Sequence, residues 1–207
     1  IATTTDKNIL NLMKTERVNY LLSEKRITEA QLIFDEIKDL DNLQLESKIK
    51  LQEAELLIHQ NNNKKALQLL SENNFPIELN AKYFLLSAQA SHNIGDTLQA
   101  QKIYETLVYK YPYFENGLLA YGNYLTLKGN TIKAYNIIVQ GVKALPRSIK
   151  LRKKYTLLCL DESLNDYANE SLIELKKILS DKEYITFTEI YNKKLAILEA
   201  KFNAWEE

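Results

Sequence analysis

The residues of this chain best suited to metal binding or covalent chemistry are His59, His92 and Cys159, its only histidines and its only cysteine. A zinc site asks for nitrogen and sulfur ligands at short helical or loop spacings. Neither histidine has a second His or a Cys three or four residues away, and no HExxH or CxxC pattern occurs. Carboxylates from elsewhere would have to complete any such site, so no metal is expected. The two histidines fall near the ends of neighbouring helical segments, where a polar side chain at a helix terminus is the expected role. Cys159 sits in the run Tyr155-Thr156-Leu157-Leu158-Cys159-Leu160, whose apolar character predicts a packed, inert thiol rather than a nucleophile. No GxxxxGK[ST] or GxGxxG is present to cradle a phosphate. The expectation is a protein with no catalytic residues and no cofactor.

Charge offers little more. Lys plus Arg and Asp plus Glu both number 27, so no net field gathers nucleic acid or an anionic membrane. A basic cluster of Lys143, Arg147, Lys150, Arg152, Lys153 and Lys154 could receive an acidic peptide, a lipid headgroup or a nucleic-acid backbone. The acidic run Asp161, Glu162, Asp166, Glu170 and Glu174 follows closely enough to compensate much of it. Tyr109, Tyr111 and Tyr113 alternate along the chain and could form an exposed aromatic patch, although the expected role is wedging between helices.

The elements that position these residues are dictated by a period of 34. Gly95 recurs as Gly129, Ala100 as Ala134 and Pro112 as Pro146, while Ala88 and Ala100 match Ala54 and Ala66 one period earlier. Five glycines and three prolines are too few for an all-β fold, so the repeat unit is a helix-turn-helix. In 81–114, Ala88 marks a close helix approach, Gly95 and Asp96 end one helix and start the next, and Ala100, Tyr104 and Leu107 form the second helix's buried face. The unit 115–148 repeats the scheme with Gly122, Gly129, Asn130, Ala134, Ile138, Gly141 and Pro146. Three weaker units flank these two. In 47–80 the turn reads Asn61-Asn62-Asn63 and the second helix is short. In 11–44, Val18, Ala30, Phe34 and Ile37 are kept and Thr28 is the expected N-cap. In 149–182, Ala168, Leu172 and Leu175 are kept, with Ser163 at the turn.

The order of small residue, turn glycine, alanine, large apolar residue and proline resembles the tetratricopeptide repeat. That resemblance implies an all-α, right-handed α-solenoid of about five hairpins, a non-catalytic scaffold that binds a protein or peptide segment in a concave groove lined by first helices. It places Lys48, Leu51, Glu55 and Ile58 on that groove, then Lys82, Leu85, Gln89 and His92, then Asn116, Leu119, Asn123 and Thr126. The leucines would supply apolar contact and Glu55, Gln89 and Asn123 would bond the backbone of the segment. Some family members clamp a terminal carboxylate with lysine and asparagine. Glu55 and Thr15 stand here where such a clamp has asparagine and lysine, which argues against it.

The array is expected over 1–182, and 183–207 reads as one amphipathic helix. Phe187, Tyr191, Leu195, Leu198, Phe202 and Trp205 form its apolar stripe. This stripe either covers the last repeat as a cap or packs on a partner or a second copy of the chain. Two further readings follow: a structural subunit of a larger assembly, such as a bacterial envelope or secretion machine, docked through that helix or the outer face, and the peptide-sensing half of a regulator. Apolar runs are too short for a membrane span. The chain opens on Ile1 rather than Met, so a removed targeting segment is expected to be possible and both cytoplasm and periplasm stay open.

Overall fold

The computed structural model describes residues 4–40 and 42–203, and all regular structure among them is helical. Eleven α-helices follow in order among the described residues: α1 (Thr4–Ser23), α2 (Ile27–Asp35), α3 (Leu43–His59), α4 (Asn63–Glu72), α5 (Asn80–Asn93), α6 (Thr97–Lys110), α7 (Glu115–Leu127), α8 (Thr131–Ala144), α9 (Ile149–Asp161), α10 (Asn165–Ile178) and α11 (Asp181–Asn203). One 3-10 turn, Ile77–Leu79, leads into α5. The chain divides into two compact units, Ile1–Leu107 and Val108–Glu207. In the first, α1 pairs with α2 and α3 with α4, and α3 also packs beside α1 and α5. In the second, α7 pairs with α8 and α9 with α10, and α9 also packs beside α7 and α11. No helix among the described residues is long and apolar enough to cross a membrane.

The same turn joins each hairpin. Lys25, Asn61, Gly95, Gly129 and Ser163 all have positive φ, from 58° to 89°. In each case the next N–H reaches back to the carbonyl five residues earlier: Arg26 to Leu21, Asn62 to Leu57, Asp96 to Ser91, Asn130 to Leu125 and Leu164 to Cys159, at 2.7–3.0 Å. This is the Schellman closure, which satisfies carbonyls that the helix end leaves bare. The three weak units thus keep the turn geometry without glycine. A non-glycine side chain pays in that region for crowding between its Cβ and the carbonyl. Ser163→Gly is therefore expected to stabilise the protein by about 0.5–1 kcal/mol after the entropy of glycine in the unfolded chain is deducted. The converse Gly95→Ser should destabilise similarly, because a Cβ at Gly95 meets nothing within 4 Å and only the backbone preference is tested. Chemical denaturation midpoints of the two variants check both signs.

Where the second helix crosses the first, small residues let the backbones approach. Ala54, Ala88, Gly122 and Thr156 hold this place on α3, α5, α7 and α9, and Ala66, Ala100, Ala134 and Ala168 hold its counterpart on α4, α6, α8 and α10; all are buried. Thr156 is polar there because its hydroxyl has partners: it donates to the Arg152 carbonyl or shares a bond of 2.8 Å with the Ser171 hydroxyl of α10. Around α1 and α2 the core is Val18, Leu21, Leu22, Ala30, Phe34 and Ile37, joined by Leu45, Ile49 and Leu56 of α3.

Helix starts correct one expectation. Asp96 and Asn130 do cap their helices, accepting from the N–H of Gln99 at 3.0 Å and of Lys133 at 3.2 Å. Thr28 does not cap α2: it lies inside the helix, because the Schellman turn at Lys25 makes Arg26 the N-cap. Ser180, in the place where the stronger repeats carry proline, forms a capping box with Glu183. The Glu183 carboxylate accepts from the Ser180 N–H and hydroxyl, and the Glu183 N–H points at the Ser180 oxygen. That reciprocal pair starts α11 at Asp181.

Candidate functional site

Within the first unit, α1, α3 and α5 lie side by side, and polar rungs join them. Lys48 on α3 pairs with Glu16 on α1 at 2.8 Å. That hydrogen bond holds the Glu16 carboxyl below its ordinary range. Gln52, buried between the same helices, donates to the Thr15 carbonyl at 2.8 Å and to the Asn19 side chain at 2.9 Å. Glu55 on α3 pairs with Lys82 on α5 at 2.7 Å, and its side chain is the more buried partner. Lys48, Glu55 and Lys82 thus stand on one surface as ion pairs between successive first helices.

The leucines of that surface are placed differently. Leu51 and Leu85 are only 3% and 5% exposed. Leu51 belongs to the core with Ala54, Leu70 and Leu86, against which Ile58 also packs. Leu51 and Leu85 support the surface from beneath, while Ile58 is half-buried. Gln89 and His92 are half-buried further along α5.

In the second unit α7 carries Asn116 and Asn123 in the open, with Leu119 and Thr126 half-buried. The Thr126 hydroxyl donates to the Gly122 carbonyl at 2.8 Å and accepts from Lys154 of α9 at 3.3 Å. Burial pushes the Lys154 ammonium down; Asp161 opposes that shift and Lys194 adds to it. Lys48, Lys82 and Lys194 each meet a carboxylate, whereas Lys154 has no ion pair among the described residues. Sequence reading placed Lys154 in the basic cluster without setting it apart there, because its distinction lies in neighbours on α7 and α11.

The basic cluster is largely dispersed. Lys150 approaches Glu115 at 4.0 Å, Lys153 lies over the Phe187 ring at 5.6 Å, and Lys143 and Arg152 line a cleft of about 420 Å³ together with Glu170 and Glu174 of the acidic run. Tyr109 and Tyr113 are 86% and 72% exposed rather than wedged, while Tyr111 is half-buried. Cys159 is fully buried, and burial raises its thiol above the ordinary range, as a packed and unreactive cysteine requires. His59 is exposed at the end of α3, and no group of three metal-ligating side chains occurs among the described residues.

The stripe of α11 faces inward. Phe187 and Tyr191 are each 4% exposed, and Leu195 and Leu198 pack with Tyr191 against Cys159, Leu160 and Ala168. Tyr191 also donates to the Asn169 side chain of α10 at 2.8 Å. These four residues pack on the last hairpin, with Phe187 and Tyr191 buried and Leu195 and Leu198 half-buried. The Phe202 side chain and Trp205 lie outside the described residues.

No protein-family model matches the chain, and no curated protein matches it. Its fold is shared with a solved tetratricopeptide repeat protein from Parabacteroides merdae, which is 14% identical with a TM-score of 0.51 over 93% of this chain and 79% of that one. Solved structures of MamA are also similar: one labelled AMB-1 is 13% identical, with a TM-score of 0.49 over 86% of this chain and 98% of that one. Another, labelled MSR-1, is 13% identical, with a TM-score of 0.46 over 88% and 99%. The chain therefore has the tetratricopeptide-repeat fold.

Proposed function

We propose that this protein is a non-catalytic scaffold that holds a peptide or protein segment against the exposed faces of its first helices. The observation that carries this reading is the set of interhelix rungs Glu16–Lys48, Gln52–Asn19 and Glu55–Lys82, which fixes polar side chains on α1, α3 and α5 before any partner arrives. Side chains already held by ion pairs lose little further rotamer freedom on binding, which is how a preformed surface gains affinity. Each unit offers its own, largely polar set: Lys48, Glu55, Lys82 and Gln89 on the first, and Asn116, Asn123 and the half-buried Leu119 on the second. Leu51 and Leu85 contribute only rigidity.

A displayed peptide library selected against the full chain supplies the probe. For a selected peptide, Gln89→Ala where it binds the first unit, or Asn123→Ala where it binds the second, should weaken binding about tenfold or more, the scale of one or two lost hydrogen bonds. Lys102→Ala and Asn136→Ala, exposed on the second helices, should leave it unchanged. Loss confined to the second-helix variants would replace the first-helix reading with one on the outer face.

A further inference from the structure

Among the described residues, α11 takes the place of a first helix and no second helix lies beside it. Within the second unit it lies along α9, as α7 does on the other side. Counted by the 34-residue period, Ile190 follows Thr156 and Gly122, the small buried residues over which a second helix crosses. Ile190 is instead 51% exposed. Ile185 follows the fully buried Leu151 and is 58% exposed. Ile197 follows the turn residue Ser163, yet the helix runs on to Asn203 and Ile197 is 49% exposed. Thr186, Ile190, Lys193 and Ile197 recur at steps of four and three, so they form one face. Among the described residues nothing covers that face.

We propose that the α11 helix of a second copy of this chain covers it, antiparallel, in a two-fold dimer. Two observations select this occupant. Each hairpin of the fold sets an antiparallel helix on this register, and a two-fold axis across α11 supplies such a helix from an identical chain. The charge along α11 is also self-complementary in that sense only. Beside that face its first half carries Glu183 and Glu189 against Lys182, and its second half carries Lys193 and Lys201, whereas Lys194 is taken up by Asp161 and helical spacing sets Asp181 and Glu199 on the opposite side. Antiparallel pairing sets the acidic half on the basic half, whereas parallel pairing opposes like charges along the whole length. Lys193 in the middle of the face, and isoleucine where closer approach would need a small residue, make this an exchanging contact rather than a second core. The proposal is independent of the first-helix surface, which α11 variants leave intact.

The test is sedimentation equilibrium of the full chain from about 1 to about 100 μM, a range that reveals dimers with micromolar Kd. The expected result is a mass that rises toward twice the monomer and stays at the monomer in an Ile190→Lys, Ile197→Glu variant of unchanged helical content. Cysteines placed singly at Thr186, Ile190, Lys193 and Ile197 then report the direction, since native Cys159 is buried. Antiparallel pairing links copies strongly near Ile190 and Lys193 and weakly at Thr186 and Ile197. A chain that remains monomeric at the highest concentration, a dimer that survives the double variant, or equal cross-linking at all four sites overturns the proposal.

Discussion

Leu51→Asp is expected to lose about 4 kcal/mol or more of folding stability, enough to leave a large part of a typical domain unfolded at ambient temperature. Leu51 is 3% exposed, within a cluster of Ala54, Leu70 and Leu86. Removing its isobutyl group opens a cavity, and aspartate is too short to carry its carboxylate around the helix to water. A buried carboxylate without a partner protonates instead, so the deficit should shrink as pH falls through the raised pKa of the new side chain. Urea denaturation at neutral and at mildly acidic pH measures both effects. Gln89→Ala, on the half-buried part of α5, should cost about 1 kcal/mol or less. A Leu51→Asp protein as stable as the wild type would mean that α3 turns this side chain outward.

The contrast between those two residues shows what spacing can and cannot tell. The 34-residue period identifies Leu51, Leu85, Leu119 and Lys153 as equivalent, and each stands on a first helix. Depth is a separate matter, because it depends on how far each helix is rotated and on the size of its neighbours. Leu51 and Leu85 are buried, Leu119 is half-buried, and Lys153 reaches the Phe187 ring. The turns illustrate the opposite case. Lys25 and Ser163 have no glycine signature, yet the register placed Ser163 at the turn and its backbone obeys. For α11 the apolar stripe was legible and its inward direction was not, since a cap and a docking helix need the same pattern. What pointed outward was Ile190, half exposed in a column otherwise filled by the buried residues Val18, Ala54, Ala88, Gly122 and Thr156.

The same column carries the second large effect, at Gly122. A Cβ built there would stand 2.8 Å from Ile138 Cδ1 and 2.9 Å from its Cγ1, and Ile138 is fully buried, so its side chain has no open space to swing into. Ile138 faces Gly122, Leu70 packs in one cluster with Ala54, and the 34-residue period puts Tyr104 in the corresponding place for Ala88. Isoleucine alone among these branches at Cβ, which brings two carbons close to its own backbone and stiffens χ1. Leucine and tyrosine broaden farther out and leave room for a methyl group on the facing helix. Glycine at 122 is therefore the complement of isoleucine at 138 and costs helix propensity of about 1 kcal/mol to keep. Gly122→Val is expected to destabilise by about 3 kcal/mol, the upper range for overpacking a close helix crossing. Gly122→Ala combined with Ile138→Leu rebuilds the Ala54–Leu70 pair and should restore wild-type stability or exceed it, because alanine recovers the propensity that glycine gave up. A double-mutant cycle on the denaturation midpoints measures this coupling. Strictly additive losses would show that α8 shifts to make room and that the glycine answers to something other than Ile138.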